Sequence, residues 1–472
     1  MSTIIETVPV LKLRASDLSE RLLPELANYH ALYSPLFQRR EQREQFEQYE
    51  RGLLSSELAN KSIESMVLQM QGDNPNAIRA SQQFISQGAW DDQVLLQRHW
   101  CEVNQDLGDE NGVLILDGSD FPKQGDESVG VKRQMCGELG KIANCQAGVF
   151  LSYASGKGYT LLDRRLYLPA EWFNDAAYAQ RRQQCGVPAA LGFQTKPELG
   201  LAMVKAVQGA GTLRFGWLTC DEAFGRDTDF LDQVAAYVAY FAEVPHDTRV
   251  WHTSPQTAVP TWSGRGRKPS KLRIVPGTDP AQTVAQIAAT LPARAWTLQW
   301  VKEGTKGPIT AEFACLRVTA VRHDLPGPEV WLVLRRNLSS GELKCFLSNA
   351  PSDTALATFV WLSAMRWPIE CCFEEGKQEL GMGDYQVRGW LGWHHHITLV
   401  ILAHFFLVRL KLRLKDEAPA LTLPQTVLLL KAVLPKPDFD AHLALEMVQY
   451  RQRRNHAAYL SHRKKQLRQL NR

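Results

Sequence analysis

Two short runs constrain this chain more than anything else in it. Val113-Leu114-Ile115-Leu116 is continuously apolar and ends in Asp117; Phe215-Gly216-Trp217-Leu218-Thr219-Cys220 ends in Asp221. A strand that is apolar on both faces must be covered on both faces, as central strands of α/β sheets are. Strand-like runs follow the first at Cys145 to Ala154 and Tyr159 to Tyr167, and a helix pattern runs from Pro197 to Gln208. After the second come a helix pattern from Thr228 to Phe241 and a strand near Thr248 to Trp251. Strands, helix, strand, helix, strand is an α/β order. Two acids at the ends of buried strands lie where such a sheet places a site.

A third acid lies in Trp361 to Arg388. Ser363, Arg366, Glu370 and Lys377 are spaced by three, four and seven residues. On one helix at about 100° per residue they fall within roughly 60° of one another. Leu362, Met365, Ile369, Cys372 and Phe373 lie mainly on the opposite side, facing a core. Taken alone, the polar stripe reads equally as a surface salt-bridge ladder.

The 472 residues suffice for two to four domains. A net charge of +4 says little about partners, but its distribution says more. Ser254 to Gly277 carries Arg265, Arg267, Lys268, Lys271 and Arg273 and no acid. Gly264, Gly266 and Pro269 break regular structure there, so the loop suits a phosphate backbone. The last 22 residues carry Arg451, Arg453, Arg454, Arg463, Lys464, Lys465, Arg468 and Arg472 and again no acid, a basic helical tail. The nine cysteines are scattered and never spaced as CxxC, which argues against a disulfide framework or zinc site and for a reducing cytoplasm. The start, MSTIIETVPVLKLRAS, has no signal-peptide pattern. Ile397 to Val408 is twelve residues of apolar sequence with His404 inside it, short of the roughly 20 that span a bilayer. It reads as a buried helix, and no membrane partner is expected.

Short helical patterns fill the N-terminal part: Leu22 to Phe37, Gln42 to Glu57, Ser62 to Gln71, Asn76 to Ile85 and Asp91 to Asn104. They fit a helix-turn-helix DNA reader and a packing or dimerisation module equally. Trp296 to Val301, Ala311 to Val321, Glu329 to Arg336 and Leu343 to Ser348 alternate as strands and read as a β-rich insertion. His394, His395 and His396 are adjacent and point apart on a helix, so capping, packing or phosphate contact suits them better than one shared metal. Pro419, Pro424, Pro435 and Pro437 mark a linker-rich stretch.

Asp117, Asp221 and Glu370 brought together need cations to stay charged. Two Mg²⁺ or Mn²⁺ ions about 4 Å apart are the usual solution, with in-line attack at a phosphodiester as the chemistry. Arg366 and Lys377 would steady a phosphate beside them.

On these residues the chain resembles the DDE transposases of bacterial insertion sequences, most closely the insertion-sequence-701 family within the IS-four-like clan. That clan carries the signature Y-x2-R-x3-E-x6-K, and RWPIECCFEEGK supplies Arg366, Glu370 and Lys377. LILDGSDFPKQG with Asp117, SVGVKRQMCGELGKIANCQ, LTCDEAFGRD with Asp221, and LGMGDYQVRGWLGWHHH resemble the remaining blocks. The similarity runs from about residue 30 to 410. The chain departs from the pattern at Ser363, where the signature has tyrosine, at Gly118, where an acid often follows the first Asp, and at Pro368 inside the signature helix.

The resemblance implies an α/β fold: a ribonuclease-H-like catalytic core interrupted by a β-rich insertion, with an N-terminal helical domain and a helical C-terminal region. The expected segments are 1–107 (helical, DNA-binding or dimerisation), 108–252 (first part of the core), 253–340 (basic insertion), 341–412 (second part of the core, with the Glu helix) and 413–472 (basic helical region). Asp117, Asp221 and Glu370 are then the catalytic, metal-holding acids. Lys123, Arg133, Arg366, Lys377, Arg388, Trp300, Arg265, Arg267 and Lys268 are the expected DNA contacts, Trp300 or Trp296 by stacking on a flipped base. The implied partners are terminal inverted repeats and target DNA, bound by a homodimer in the bacterial cytoplasm at the nucleoid. The rival readings are a DNA-binding repressor derived from such an enzyme, an Asp-nucleophile phosphatase, and plain strand-end caps. The phosphatase reading needs a second acid two residues after Asp117, and Asp120 is three on.

Overall fold

The computed structural model describes residues 11–55, 60–262, 264–304, 307–435 and 439–470, the side chains at 465 and 468–470 excepted. The first ten residues, Glu57, Pro437, Arg472 and the side chains of Lys465 and Arg468 lie outside it.

Five helices open the chain: α1 Leu18–Tyr33, α2 Arg40–Leu54, α3 Ile63–Gln71, α4 Pro75–Gln87 and α5 Asp92–Leu107. Ser62, Asn74 and Asp91 cap α3, α4 and α5 by accepting backbone N–H bonds. The chain then makes a meander of strands β1 Val113–Pro122, β2 Lys132–Cys136, β3 Lys141–Ser155 and β4 Gly158–Tyr167. Short helices α6 Glu171–Asn174 and α7 Ala179–Gln184 lead to α8 Lys196–Ala210, which Thr195 and Glu198 start with a capping box. Strand β5 Trp217–Cys220, helices α9 Glu222–Gly225 and α10 Thr228–Ala235, and strand β6 Ala239–Val244 follow.

Strands β1, β5 and β6 are parallel neighbours, while β3 pairs antiparallel with β1 on one side and with β2 and β4 on the other. Beyond β6 the sheet continues. The later strands are β7 Arg249–Trp251, β8 Thr257–Ala258, β9 Arg273–Ile274, β10 Gln282–Thr283, β11 Thr297–Gly304, β12 Gly307–Arg322, β13 Leu325–Asn337 and β14 Leu343–Ser348, with α11 Val284–Thr290 among them. β14 pairs with β6, β13 with β14 and β12 with β13, so the described residues build one mixed sheet of twelve strands, and β8 with β9 form a separate pair. The β-rich segment thus extends the main sheet edge to edge.

Two local expectations need correction. The helix expected from Thr228 to Phe241 stops at Ala235, and Ala239–Val244 is a buried strand. Its short apolar run carries no period of its own, and its place between β5 and β14 decides it. Thr248 to Trp251 is a strand, but it pairs with β10 and β12 and lies in the extension.

The remaining helices are α12 Leu356–Leu362, α13 Trp367–Leu380, α14 Trp390–Arg413, α15 Leu423–Val433 and α16 Ala441–Leu470. Helix α14 is the apolar run seen in the sequence, grown to 24 residues. It is long and apolar enough to cross a membrane, yet it is buried almost throughout, packed by α1, α2, α4, α5 and β4. One hydrophobic core runs from Leu22 to Leu430 around it. The three adjacent histidines serve that packing. The His394 ring bonds the Trp390 carbonyl, His395 bonds the carbonyls of Ile85 and Trp90 while stacking on Trp90, and His396 bonds the Tyr49 hydroxyl.

Candidate acidic site and its cations

The parallel register sets the site. Leu116 lies opposite Cys220, and Cys220 opposite Ala242. The next residue on each strand is an acid: Asp117, Asp221 and Glu243 follow in one row across β1, β5 and β6. Sequence reasoning missed Glu243, because the helix pattern runs on to Phe241 and hides the strand that holds it. The only signal was an acid closing a third apolar run, Tyr240 to Ala242.

Helix α13 brings in the fourth carboxylate, in a way the sequence did not anticipate. The single stripe from Ser363 to Lys377 does not exist. Helix α12 ends at Leu362, Ser363 is its C-cap, and α13 begins at Trp367 with Pro368 in its first turn. Inside a continuous helix the proline would have clashed with the carbonyl four residues back, whereas in a first turn its missing N–H costs nothing. The Ser363 hydroxyl donates to the Val360 carbonyl at 2.7 Å. Arg366 sits at the break as the N-cap residue of α13, and Glu370 lies one turn in.

From that corner the Arg366 guanidinium reaches three acids. Its Nη1 donates to Asp117 Oδ2 at 3.0 Å and to Glu370 Oε1 at 3.1 Å, and its Nε lies 3.5 Å from Glu243 Oε2. Lys344 on β14 holds the other Glu243 oxygen at 2.8 Å. Asp221 spends Oδ1 on the backbone N–H groups of Ala223 and Phe224, the cap of α9. A cap therefore describes one oxygen of Asp221 but not the row it belongs to.

Burial, first, and the nearby Asp221 push the Asp117 carboxyl up to about 7, against the pull of Arg366. Burial likewise raises Asp221, with Arg366 opposing. Burial pulls the Arg366 guanidinium down, and Asp117, Glu243 and Glu370 more than offset it.

Four carboxylates offer the hard oxygen donors that Mg²⁺ and Mn²⁺ take. Among the described residues no three acids, histidines or cysteines stand ready around one point. The guanidinium of Arg366 supplies the positive charge at their centre instead. The donor set fits divalent cations in kind and in charge, on condition that Arg366 gives up Asp117 or Glu370.

The other candidates separate. Lys377 pairs with Glu138 and donates to the Asp120 carbonyl at 3.3 Å, beside the end of β1. Lys123 is half-buried and leans on Tyr385. Its ammonium lies 3.4 Å from the centre of the Tyr385 ring and 3.2 Å from the Tyr385 carbonyl, and burial lowers it to about 8. Arg133, Arg388, Arg265, Arg267 and Lys268 are exposed. Trp300 is 50% exposed on β11, while Trp296 is covered by the Arg336 guanidinium 4.1 Å from its ring centre. The basic tail is partly docked: Arg453 pairs with Asp73 and Arg454 with Glu64, and Tyr450 packs with Val67, Leu68 and Ile78.

Two cations went unread in the sequence. Lys196, in the first turn of α8, brings its Nζ to 3.8 Å from where a side chain on Gly118 would begin, on the face of β1 opposite the Asp117 side chain. Lys302 lies 5.6 Å from the ring centre of Trp367, an exposed residue directly after Arg366.

A family model described as DDE superfamily endonuclease matches residues 32–308, more than half of the chain. The matched span holds Asp117, Asp221 and Glu243, and Glu370 lies beyond it. A search of curated proteins finds no match.

Proposed function

The chain belongs to the DDE superfamily endonucleases, and from that premise we propose that it is a metal-dependent DNA transposase of the insertion-sequence-701 type. On this reading it cuts at the terminal inverted repeats of its element and joins the freed 3′ ends to target DNA. One observation carries the reading: acids close adjacent parallel strands in register, and a helix brings a further acid onto the same guanidinium as the first. The strand order β4-β3-β1-β5-β6, with an antiparallel meander followed by two parallel strands, supports a ribonuclease-H-like core. In this reading residues 108–252 and 341–412 form that core around the 253–340 insertion. The helical 1–107 and 413–472 segments flank it.

Asp117, Asp221 and Glu370 would hold two Mg²⁺ or Mn²⁺ ions, which supply an activated water or 3′-hydroxyl and charge for the leaving oxygen. The other roles belong to the chain's own side chains. Arg366, released from Asp117 or Glu370 and still tethered through Nε to Glu243, meets a phosphate. Lys377, beside the end of β1, places further positive charge along the DNA backbone. A homodimer pairing two element ends, in the cytoplasm at the nucleoid, completes the reading.

A second reading has one observation in its favour. Ser363 replaces the signature tyrosine and its hydroxyl is taken up by Val360, so the contact that tyrosine makes in relatives is missing. A DNA-binding repressor derived from a transposase would tolerate that loss.

The deciding experiment is cleavage of DNA carrying the element's own end, with wild type beside Glu370→Ala. Cutting that needs Mg²⁺ or Mn²⁺ and falls by roughly 10³-fold or more in the variant is the expected result. Binding without cutting by the wild type favours the repressor.

A further inference from the structure

The basic loop between β8 and β9 is closed at its base and bare at its tip. Thr257 pairs with Ile274 and Ala258 with Arg273, and the Val275 N–H donates to the Gln256 carbonyl at 2.9 Å. Farther out, the Trp262 indole N–H donates to the Gly266 carbonyl at 3.3 Å and ties the turn together. Gly264 and Gly266 take φ of 82° and 72°, a left-handed region that other residues rarely adopt. A side chain begun at either glycine would meet nothing within 4 Å. Backbone shape, and no packing against the rest of the protein, thus calls for glycine on both sides of Arg265. Arg265, Arg267, Lys268, Lys271 and Arg273 are all exposed, and among the described residues none has an acidic partner.

We propose that this loop is a minor-groove arm for A·T-rich duplex DNA: Arg265 and Arg267 enter the groove while Lys268, Lys271 and Arg273 lie against the flanking phosphates. The proposal rests on the DNA-acting reading above and adds the groove and the base composition it prefers. Three physical points favour the minor groove. A·T tracts narrow it and deepen its negative potential, which draws arginine in. At about 6 Å wide it admits backbone only where side chains are missing, and glycine flanks Arg265 on both sides. Major-groove readout places a helix or β-ribbon in the groove; Gly264 to Lys268 forms no helix or strand.

The test uses the full chain and two fluorescein-labelled duplexes of equal length, one with a central A·T tract and one entirely G·C, read by fluorescence anisotropy across a salt series. The wild type should bind the A·T duplex about tenfold more tightly. Netropsin, which fills that groove, should abolish the difference. The R265K/R267K variant keeps both charges and therefore the salt dependence, but lysine lacks the planar guanidinium. Its affinity for the G·C duplex should stay within about twofold, with the A·T preference gone. Equal binding of both duplexes by the wild type, or a preference retained in the lysine variant, would overturn the arm and leave the DNA-acting reading standing. Binding of neither duplex would overturn that reading and the arm with it.

Discussion

Two of the arginines that sit among carboxylates, Arg164 and Arg366, differ in balance and in access to water. Arg164, on β4, is fully buried; it pairs with Asp92 and lies 3.2 Å from Asp163, which Arg165 also holds at 2.6 Å. Two acids meet two arginines there, and Arg164 also reaches the His394 carbonyl. Arg366 keeps 25% of its side chain exposed, and Glu370 keeps 42%. Around it four acids, Asp117, Asp221, Glu243 and Glu370, meet Arg366 and Lys344, with Arg335 near enough to feel Glu243. A sealed, balanced cluster is bound up with stability, since removing one partner strands a charge out of water. An open cluster with surplus acids is poor as a structural device, and its unmatched charge calls for cations from outside. Charge balance and access to water, more than the presence of an ion pair, set the candidate site apart.

The largest effect should separate the two on stability. Arg164→Ala leaves Asp92 and Asp163 short of a buried partner and should cost about 3–5 kcal/mol in urea unfolding. Arg366→Ala should cost less, about 1 kcal/mol, because Glu370 is open to water, Glu243 keeps Lys344, and Asp117, already pushed up to about 7, can take a proton. Equal losses in the two variants would break the comparison.

The next effect concerns metal. If Arg366 occupies the place of a cation, Arg366→Gln should bind Mn²⁺ about tenfold more tightly without DNA, a difference of about 1.4 kcal/mol by calorimetry. Asp221→Asn should weaken the same binding. An affinity that Arg366→Gln leaves unchanged or lowers would mean that the guanidinium and the ion do not compete.

How much of this was legible follows from where the information lies. Asp117 and Asp221 could be read because their strands are buried on both faces and therefore continuously apolar. Glu243 was hidden, although it stands in the same row, because a three-residue link joins α10 to β6 and the apolar character runs through both. Only pairing with β5 and β14 fixes that segment as strand. The break at Ser363 to Arg366 was half legible. Proline favours a helix's first turn, as Pro368 takes here, but the stripe of spacings suggested one helix. The structure shows that Arg366 reaches Asp117 from the corner. The exposed cations of the loop and of β2 carry no packing signal, so the sequence yields their charge and leaves their direction open. Lys123 is the reverse case, a charge that looked available and leans on Tyr385.

Lys123 also supplies the smallest effect, because it falls on the Arg164 side of the comparison. Burial lowers its ammonium to about 8, against an ordinary value of 10.5. A lysine whose folded value lies below its unfolded one is penalised for its charge. That penalty is complete below about 8 and fades as pH rises towards 10.5, because the unfolded chain there binds more protons than the folded one. Lys123→Met removes the titration. Wild type should therefore gain stability relative to the variant as pH goes from 8 to 10, measured by urea unfolding under reducing conditions. DNA affinity of the variant at pH 7 should stay within about twofold of wild type, since the ammonium faces Tyr385 and no phosphate contact is lost. A large loss of affinity with a flattened salt dependence would place Lys123 with the open site, and a stability difference that ignores pH would show that its charge is not buried.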